Sequence, residues 1–225
     1  MLRLIALLAT FGWNITLMFK THSLSFAYNQ QASFHFPDIE LDAGGNLLIL
    51  GESGIGKTTL LHLMAGLLQP QSGRVELMGT LIHELSSSQL DCFRGSHIGL
   101  VFQRLHFVRA LSLQENLALV QHLARKPVDK SRIKDVLDGL GIGHKLSEKP
   151  HRLSQGEQQR AAIALAVVNR PQLILADEPT SSLDDKNANR AARLLQEQAF
   201  TTEAQLIIIT HDQRLKAQFS NTLTL

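Results

Sequence analysis

Residues 46–58 read NLLILGESGIGKT, a mostly apolar run followed by a loop that closes on Lys57 and Thr58. The stretch that follows, TTLLHLMAGLL, is the start of a helix. Glycines at Gly51, Gly54 and Gly56 let the backbone turn sharply between strand and helix and point successive N–H groups inward. Those groups and the positive helix end together form a nest for an anion. The spacing is GxxxxGK[ST], in which the lysine reaches the terminal phosphates and the hydroxyl ligates Mg²⁺. Residues Gly51, Ser53, Gly54, Gly56, Lys57, Thr58 and Thr59 are therefore expected to bind a nucleotide phosphate chain. Alone, the loop does not say which kind of nucleotide enzyme carries it.

The surrounding pattern narrows the fold. Besides 46–50, apolar runs occur at QLILA (172–176) and QLIII (205–209), and none alternates with polar residues. Such runs suit strands covered on both faces, as in a parallel α/β sheet. Helical stretches follow them at 184–199 and near 213–219. Residues about 86–150 lack such strands except IGLVF (98–102). They read instead as amphipathic helices, for example Val128–Leu140 before Gly141 and Gly143, and form a candidate helical subdomain.

Two further constellations carry chemistry. In Leu173-Ile-Leu-Ala-Asp177-Glu178-Pro179 a buried strand ends in two carboxylates. That places them at the carboxyl edge of the sheet, beside the phosphate loop. Asp177 suits a Mg²⁺ shell, and Glu178 can polarise an attacking water as general base. In isolation such a pair is often only a solvated turn, and the loop upstream favours catalysis. In Leu153-Ser154-Gln155-Gly156-Glu157, Ser154 and Glu157 make a capping box for the helix running towards Pro171. The same end, with a free hydroxyl and the Gly156 N–H, is a second anion site. Its distance from the loop in sequence suggests that it serves a neighbouring subunit's nucleotide.

GESGIGKT, VFQ (101–103), LSQGE, LILADEP, SSLD (181–184) and ITHD (209–212) stand in the order and spacing of the ATP-binding cassette (ABC) ATPases, and the chain resembles that family over about residues 18–225. The wording around LSQGE and LILADEP most resembles the branch serving lipoprotein release, macrolide-type export and the cell-division cassette. The resemblance implies an α/β P-loop NTPase core, mainly a parallel sheet with flanking helices, with an antiparallel β subdomain and a helical subdomain. It implies ATP and Mg²⁺ as ligands. Lys57, Gln103, Glu178 and His211 become catalytic positions, and Thr58, Gln103 and Asp177 metal positions. Gln103 would contact Mg²⁺ and the attacking water, His211 would hold the γ-phosphate, and Tyr28 would stack on adenine. Ser154 and Gly156 would contact the γ-phosphate of a second copy or a paired ATPase, and Ser182 and Asp184 would cross that interface. Gln155 departs from the usual LSGGQ or LSGGE, which points to altered interface packing rather than lost activity.

The implied function is ATP hydrolysis that opens and closes a dimer to drive a separate integral membrane permease, docked against 86–150. The chain would then sit peripherally on the cytoplasmic face of the inner membrane. The alternative is a regulatory or mechanotransmitting cassette whose cycle signals through a membrane partner without moving cargo. Composition agrees with either. Apolar residues make up 44% and charged residues 19%, ordinary for a globular domain. A net charge of +2 with scattered Lys and Arg gives no stripe for nucleic acid. The single Cys92 rules out an internal disulfide, and the ten histidines form no ligand cluster. Met1–Phe19 is the anomaly, almost wholly apolar with Arg3 as its one charge. Three readings stand for it: an extension (1–17) outside the functional domain, an apolar segment lying on a membrane or partner, or a true span.

Overall fold

The computed structural model describes residues 17–29, 32–181 and 183–225. The readings of residues 1–16 and of Ser182 lie outside these residues. Among the described residues are ten strands: β1 (Leu17–Asn29), β2 (Ala32–His35), β3 (Ile39–Asp42), β4 (Asn46–Leu50), β5 (Ser72–Leu77), β6 (Thr80–Leu81), β7 (Ile98–Val101), β8 (Leu173–Asp177), β9 (Gln205–Thr210) and β10 (Thr222–Thr224). The same residues form six α-helices: α1 (Lys57–Met64), α2 (Ser87–His97), α3 (Leu113–Leu123), α4 (Lys130–Gly139), α5 (Gln155–Val167) and α6 (Asp185–Thr201).

The strands form two sheets. One is wholly parallel in the order β10-β4-β9-β8-β7. The other is antiparallel and built on the long β1, which pairs with β2, β3 and β5, while β5 also pairs with β6. The apolar runs explain the parallel sheet directly. Leu48 and Leu50 enter one core with Ile174, Ala176, Leu206 and Ile208, beneath α3, α4, α5 and α6. Their neighbours Leu47, Ile49, Leu173, Leu175, Ile207 and Ile209 enter a second core with α1 and the antiparallel sheet. Successive side chains on a strand point to opposite faces, so a strand with two covered faces must be apolar throughout. Truncating a fully buried residue here, such as Ile208→Ala, costs about 2–5 kcal/mol.

Within 86–150 the strand β7 is the edge of the core sheet, and α3 and α4 follow it. The helix expected over Val128–Leu140 begins at Lys130 because the Asp129 side chain accepts from the Arg132 N–H at 2.9 Å and caps it. The short helix expected near 213–219 is a 3₁₀ segment, Gln213–Gln218, capped by Asp212. Among the described residues no helix is long and apolar enough to cross a membrane.

Candidate active site

Strands β4, β8 and β9 are adjacent and parallel, so the loops leaving their carboxyl ends emerge together. A cavity of about 730 Å³ lies over them, with the phosphate loop, Tyr28, Phe34, Gln103, Glu178 and His211 in its walls. Asp177 and Gly51 bond to residues of that wall, whereas Ser154 and Gly156 do not line the cavity.

Lys57 is buried at the start of α1, and its Nζ donates to the carbonyls of Gly51 (2.9 Å) and Glu52 (2.7 Å). Its ammonium also stands 3.8 Å from Glu178 Oε1. Gly56 at the helix start has φ +102°, and a Cβ there would meet the Phe34 ring at 2.6 Å. Left-handed geometry and close packing both demand glycine at this position. Tyr28 is exposed, shares a hydrogen bond with Thr59 Oγ1 at 3.1 Å, and has Phe26 and Phe34 edge-on to its ring.

The carboxylates separate into two environments. Asp177 is buried and accepts from the Thr58 hydroxyl at 2.9 Å through Oδ2, while its buried Oδ1 has no partner among the described residues. Burial pushes its carboxyl above the usual range, against the Thr58 bond, and the Glu178 charge adds to the rise. An orphaned carboxylate oxygen beside a hydroxyl is the hard-oxygen donor set that suits Mg²⁺, so the residues fit that ion. Among the described residues, no group of three or more His, Cys, Asp and Glu side chains is gathered for a metal, so the ion would rest on this carboxylate, the hydroxyl and its own nucleotide.

Glu178 adopts φ +47°, uncommon for a residue with a side chain, and its N–H donates to Ile209 O at 2.8 Å. This turn aims its carboxylate across to the end of β9. There Oε2 accepts from Thr210 Oγ1 (2.7 Å), and Oε1 accepts from the His211 N–H (3.1 Å) and Nδ1 (2.7 Å). The His211 side chain is 58% exposed. Thr210 and Phe34 were not singled out in the sequence. Thr210 stands inside ITHD, and its place in that motif was the available signal.

Ser154 caps α5, accepting from the Glu157 N–H at 3.4 Å, while the Glu157 carboxylate accepts from the Ser154 N–H and hydroxyl, both at 2.8 Å. The capping box is present as the spacing required. A Cβ on Gly156 would meet only Arg160 Nη1, at 3.7 Å, an ordinary contact. Among the described residues nothing requires glycine there.

Comparison with known proteins places this arrangement. The family described as ABC transporter matches residues 35–181. The chain is 40% identical over 192 residues to the lipoprotein-releasing system ATP-binding protein LolD of Psychrobacter arcticus, covering 84% of each. It is 36% identical to the LolD of Shewanella oneidensis, covering 84% of this chain and 83% of that one. Among solved structures it is similar to a dimeric ATP-binding cassette in a post-hydrolysis state bound to ADP and Pi, with a TM-score of 0.80, 28% identity, and coverage of 92% and 94%. It is also similar to cbiO1 of Clostridium perfringens, part of an ABC transporter complex, with a TM-score of 0.81, 28% identity, and coverage of 92% and 84%. A phosphate loop beneath a carboxylate pair, on a scaffold shared with these relatives, leads to one conclusion: the chain belongs to the ABC transporter family, as one of its ATP-hydrolysing subunits.

Proposed function

We propose that Glu178 and His211 act as a pair on ATP seated in the 730 Å³ cavity. The observation that carries this reading is the Glu178 carboxylate, buried, turned by a left-handed backbone, and held by Thr210 and His211 beside Lys57. Lys57 supplies positive charge to the β- and γ-phosphates once it releases the loop carbonyls. Backbone N–H groups of Ser53–Thr58 cradle the same phosphates, and Tyr28 offers its exposed ring to adenine. Glu178 takes the proton from the attacking water, His211 orients the water and the γ-phosphate, and Gln103 lines the same cavity. Thr58, Asp177 and Gln103 would hold Mg²⁺, which supplies charge neutralisation to the phosphates.

The second half of the reading is assembly. Ser154 and Gly156 complete the site of another copy or of a paired ATPase, so ATP holds two subunits together and hydrolysis releases them. The work passes to a separate membrane permease. Its docking element occupies a groove of about 750 Å³ lined by α2, β7, α3 and α5 residues and by Phe102, the residue before Gln103. The named LolD relatives favour a permease of the lipoprotein-releasing kind, with this chain peripheral on the cytoplasmic face of the inner membrane.

Glu178→Gln in the full chain tests the chemistry. It keeps ATP binding and accumulates an ATP-dependent dimer in sizing experiments, while turnover falls about 100-fold or more. Wild-type turnover in this variant ends the proposal. Co-purification from solubilised membranes tests the partner: a polytopic membrane protein retained with the chain supports it, and its absence counts against it.

A further inference from the structure

A chain of polar contacts runs from the Glu178 carboxylate to the first turn of α6, and Arg214 is its central member. Thr210 Oγ1 donates to Glu178 Oε2 at 2.7 Å and accepts from the Asp212 N–H at 3.0 Å. The Asp212 carboxylate, buried, accepts from the Thr180 hydroxyl (2.8 Å), from Arg214 Nε on Oδ1 (2.7 Å) and from Arg214 Nη2 on Oδ2 (2.7 Å). The remaining arm of the guanidinium, Nη1, donates to Asp185, the first residue of α6. One planar fork thus grips the residue after His211 with two nitrogens and the start of α6 with the third.

Each part has a physical reason to be rigid. Thr180 is fully buried, so its hydroxyl needs the Asp212 partner. Arginine gives three nitrogens fixed in one plane, which lysine cannot reproduce. The Asp212–Arg214 grip has little freedom, because the Arg214 N–H also donates to Asp212 Oδ1 at 3.1 Å. A displacement of the α6 terminus therefore pulls on the 210–212 segment rather than dissipating in a loose side chain. That segment carries the hydroxyl and the imidazole that orient Glu178.

We propose that Arg214 is a positioning residue, tying the first turn of α6, through Asp185, to the orientation of Glu178 and His211. It touches neither substrate nor ion. It sets how well the general base is aimed, and makes that aim depend on where Asp185 and the first turn of α6 sit. The inference rests on the reading of Glu178 as the base.

Steady-state ATPase kinetics of the full chain test it. Arg214→Ala lowers kcat about tenfold with KM for ATP within about twofold, since misplacing a catalytic group costs turnover rather than binding. Arg214→Lys recovers to within about threefold of wild type, keeping the charge but not the fork. Asp185→Asn leaves the Asp212–Arg214 grip intact and lowers kcat about threefold, the scale of an exposed ion pair. The double variant is no slower than Arg214→Ala, because both changes cut one connection. ATP-driven dimerisation is unchanged throughout.

Wild-type kcat in Asp185→Asn and Arg214→Ala overturns the inference, as does a rise in KM that tracks a fall in melting temperature. Should Arg214→Ala fold poorly, Asp185→Asn alone decides, being an exposed position. Glu178→Gln run in parallel separates the two readings. If it still turns over, the assignment of the base fails and this inference with it. If it is inactive while Arg214→Ala and Asp185→Asn keep wild-type rates, only this inference fails.

Discussion

Gly56 and Gly156 stand at the two helix starts that we read as anion sites, yet among the described residues packing explains only the first. Gly56 has φ +102° with the Phe34 ring against it, so its own fold forbids a side chain. Gly156 has open space and an ordinary contact to Arg160, so its own fold is indifferent. The surroundings differ in the same way. The Gly56 end has buried Lys57, Asp177 and Glu178 in or against one cavity, with an orphaned carboxylate oxygen and a strained backbone. The Gly156 end is capped by Ser154 and Glu157 and satisfied by itself. The first half buries the Asp177 carboxyl, whose charge burial disfavours, and on the proposed reading Mg²⁺ arriving with the nucleotide would relieve that cost. The second is a capped helix end with room for a side chain at Gly156, which agrees with the proposal that another subunit uses it.

The largest effect comes from disabling each half separately. Lys57→Ala removes the buried ammonium, and we expect turnover to fall about 100-fold or more. Ser154→Arg blocks the other end and falls comparably. Mixing the two inactive chains restores one intact composite site, so activity exceeds that of either alone. A mixture as inactive as its parts breaks the comparison, because both halves would then serve one chain.

The glycines give a sharper version. Gly56→Ala lowers both melting temperature and ATP affinity, since left-handed strain costs of order 1–3 kcal/mol before the clash with Phe34 is counted. Gly156→Ala stabilises the isolated chain by up to about 1 kcal/mol through helix propensity. It nevertheless lowers ATPase activity about tenfold or more, by obstructing the approach to the γ-phosphate. Equal responses in calorimetry and kinetics would erase the distinction between the two ends.

Asp177→Asn probes the stored electrostatics. The folded carboxyl lies above its ordinary range, so the ionised form destabilises the nucleotide-free chain above that raised value, and the cost fades as pH falls through it. Removing the charge should raise the neutral-pH melting temperature by about 2–4 °C while abolishing hydrolysis. A lower melting temperature at neutral pH contradicts this account. Asp212 works in the opposite sense and gives the smallest effect. Arg214, opposed by burial and helped by Thr180, holds its carboxyl down to about 2. The stability it contributes is complete above the unfolded value of about 3.9 and is lost as pH falls towards the folded one. Asp212→Asn should flatten the acid limb of a stability curve over that interval and leave the neutral limb parallel to wild type.

Legibility differed between the parts for physical reasons. NLLIL, QLILA and QLIII announced strands with two covered faces, because continuous apolarity has no other economical use at that length. The phosphate loop, the Asp177–Glu178 pair and the Ser154–Glu157 box were visible because their geometry depends on neighbours within a few residues. The start of α4 was misjudged by two residues because a side-chain cap, not apolar periodicity, sets it. Phe34 behind Gly56 and Thr210 beneath Glu178 were not visible, since those pairs are 22 and 32 residues apart and meet only through sheet packing.

The sequence by itself determined the class of site, because glycine spacing, a capped helix and paired carboxylates are local chemistry that any fold carrying them must respect. Tertiary structure alone decided how those groups face one another. The order β4-β9-β8 brought Glu178 to His211, left Asp177 Oδ1 without a partner among the described residues, and placed Arg214 between Asp212 and Asp185. Side-chain direction over such separations is fixed by strand neighbours and core packing, which no short window of residues encodes.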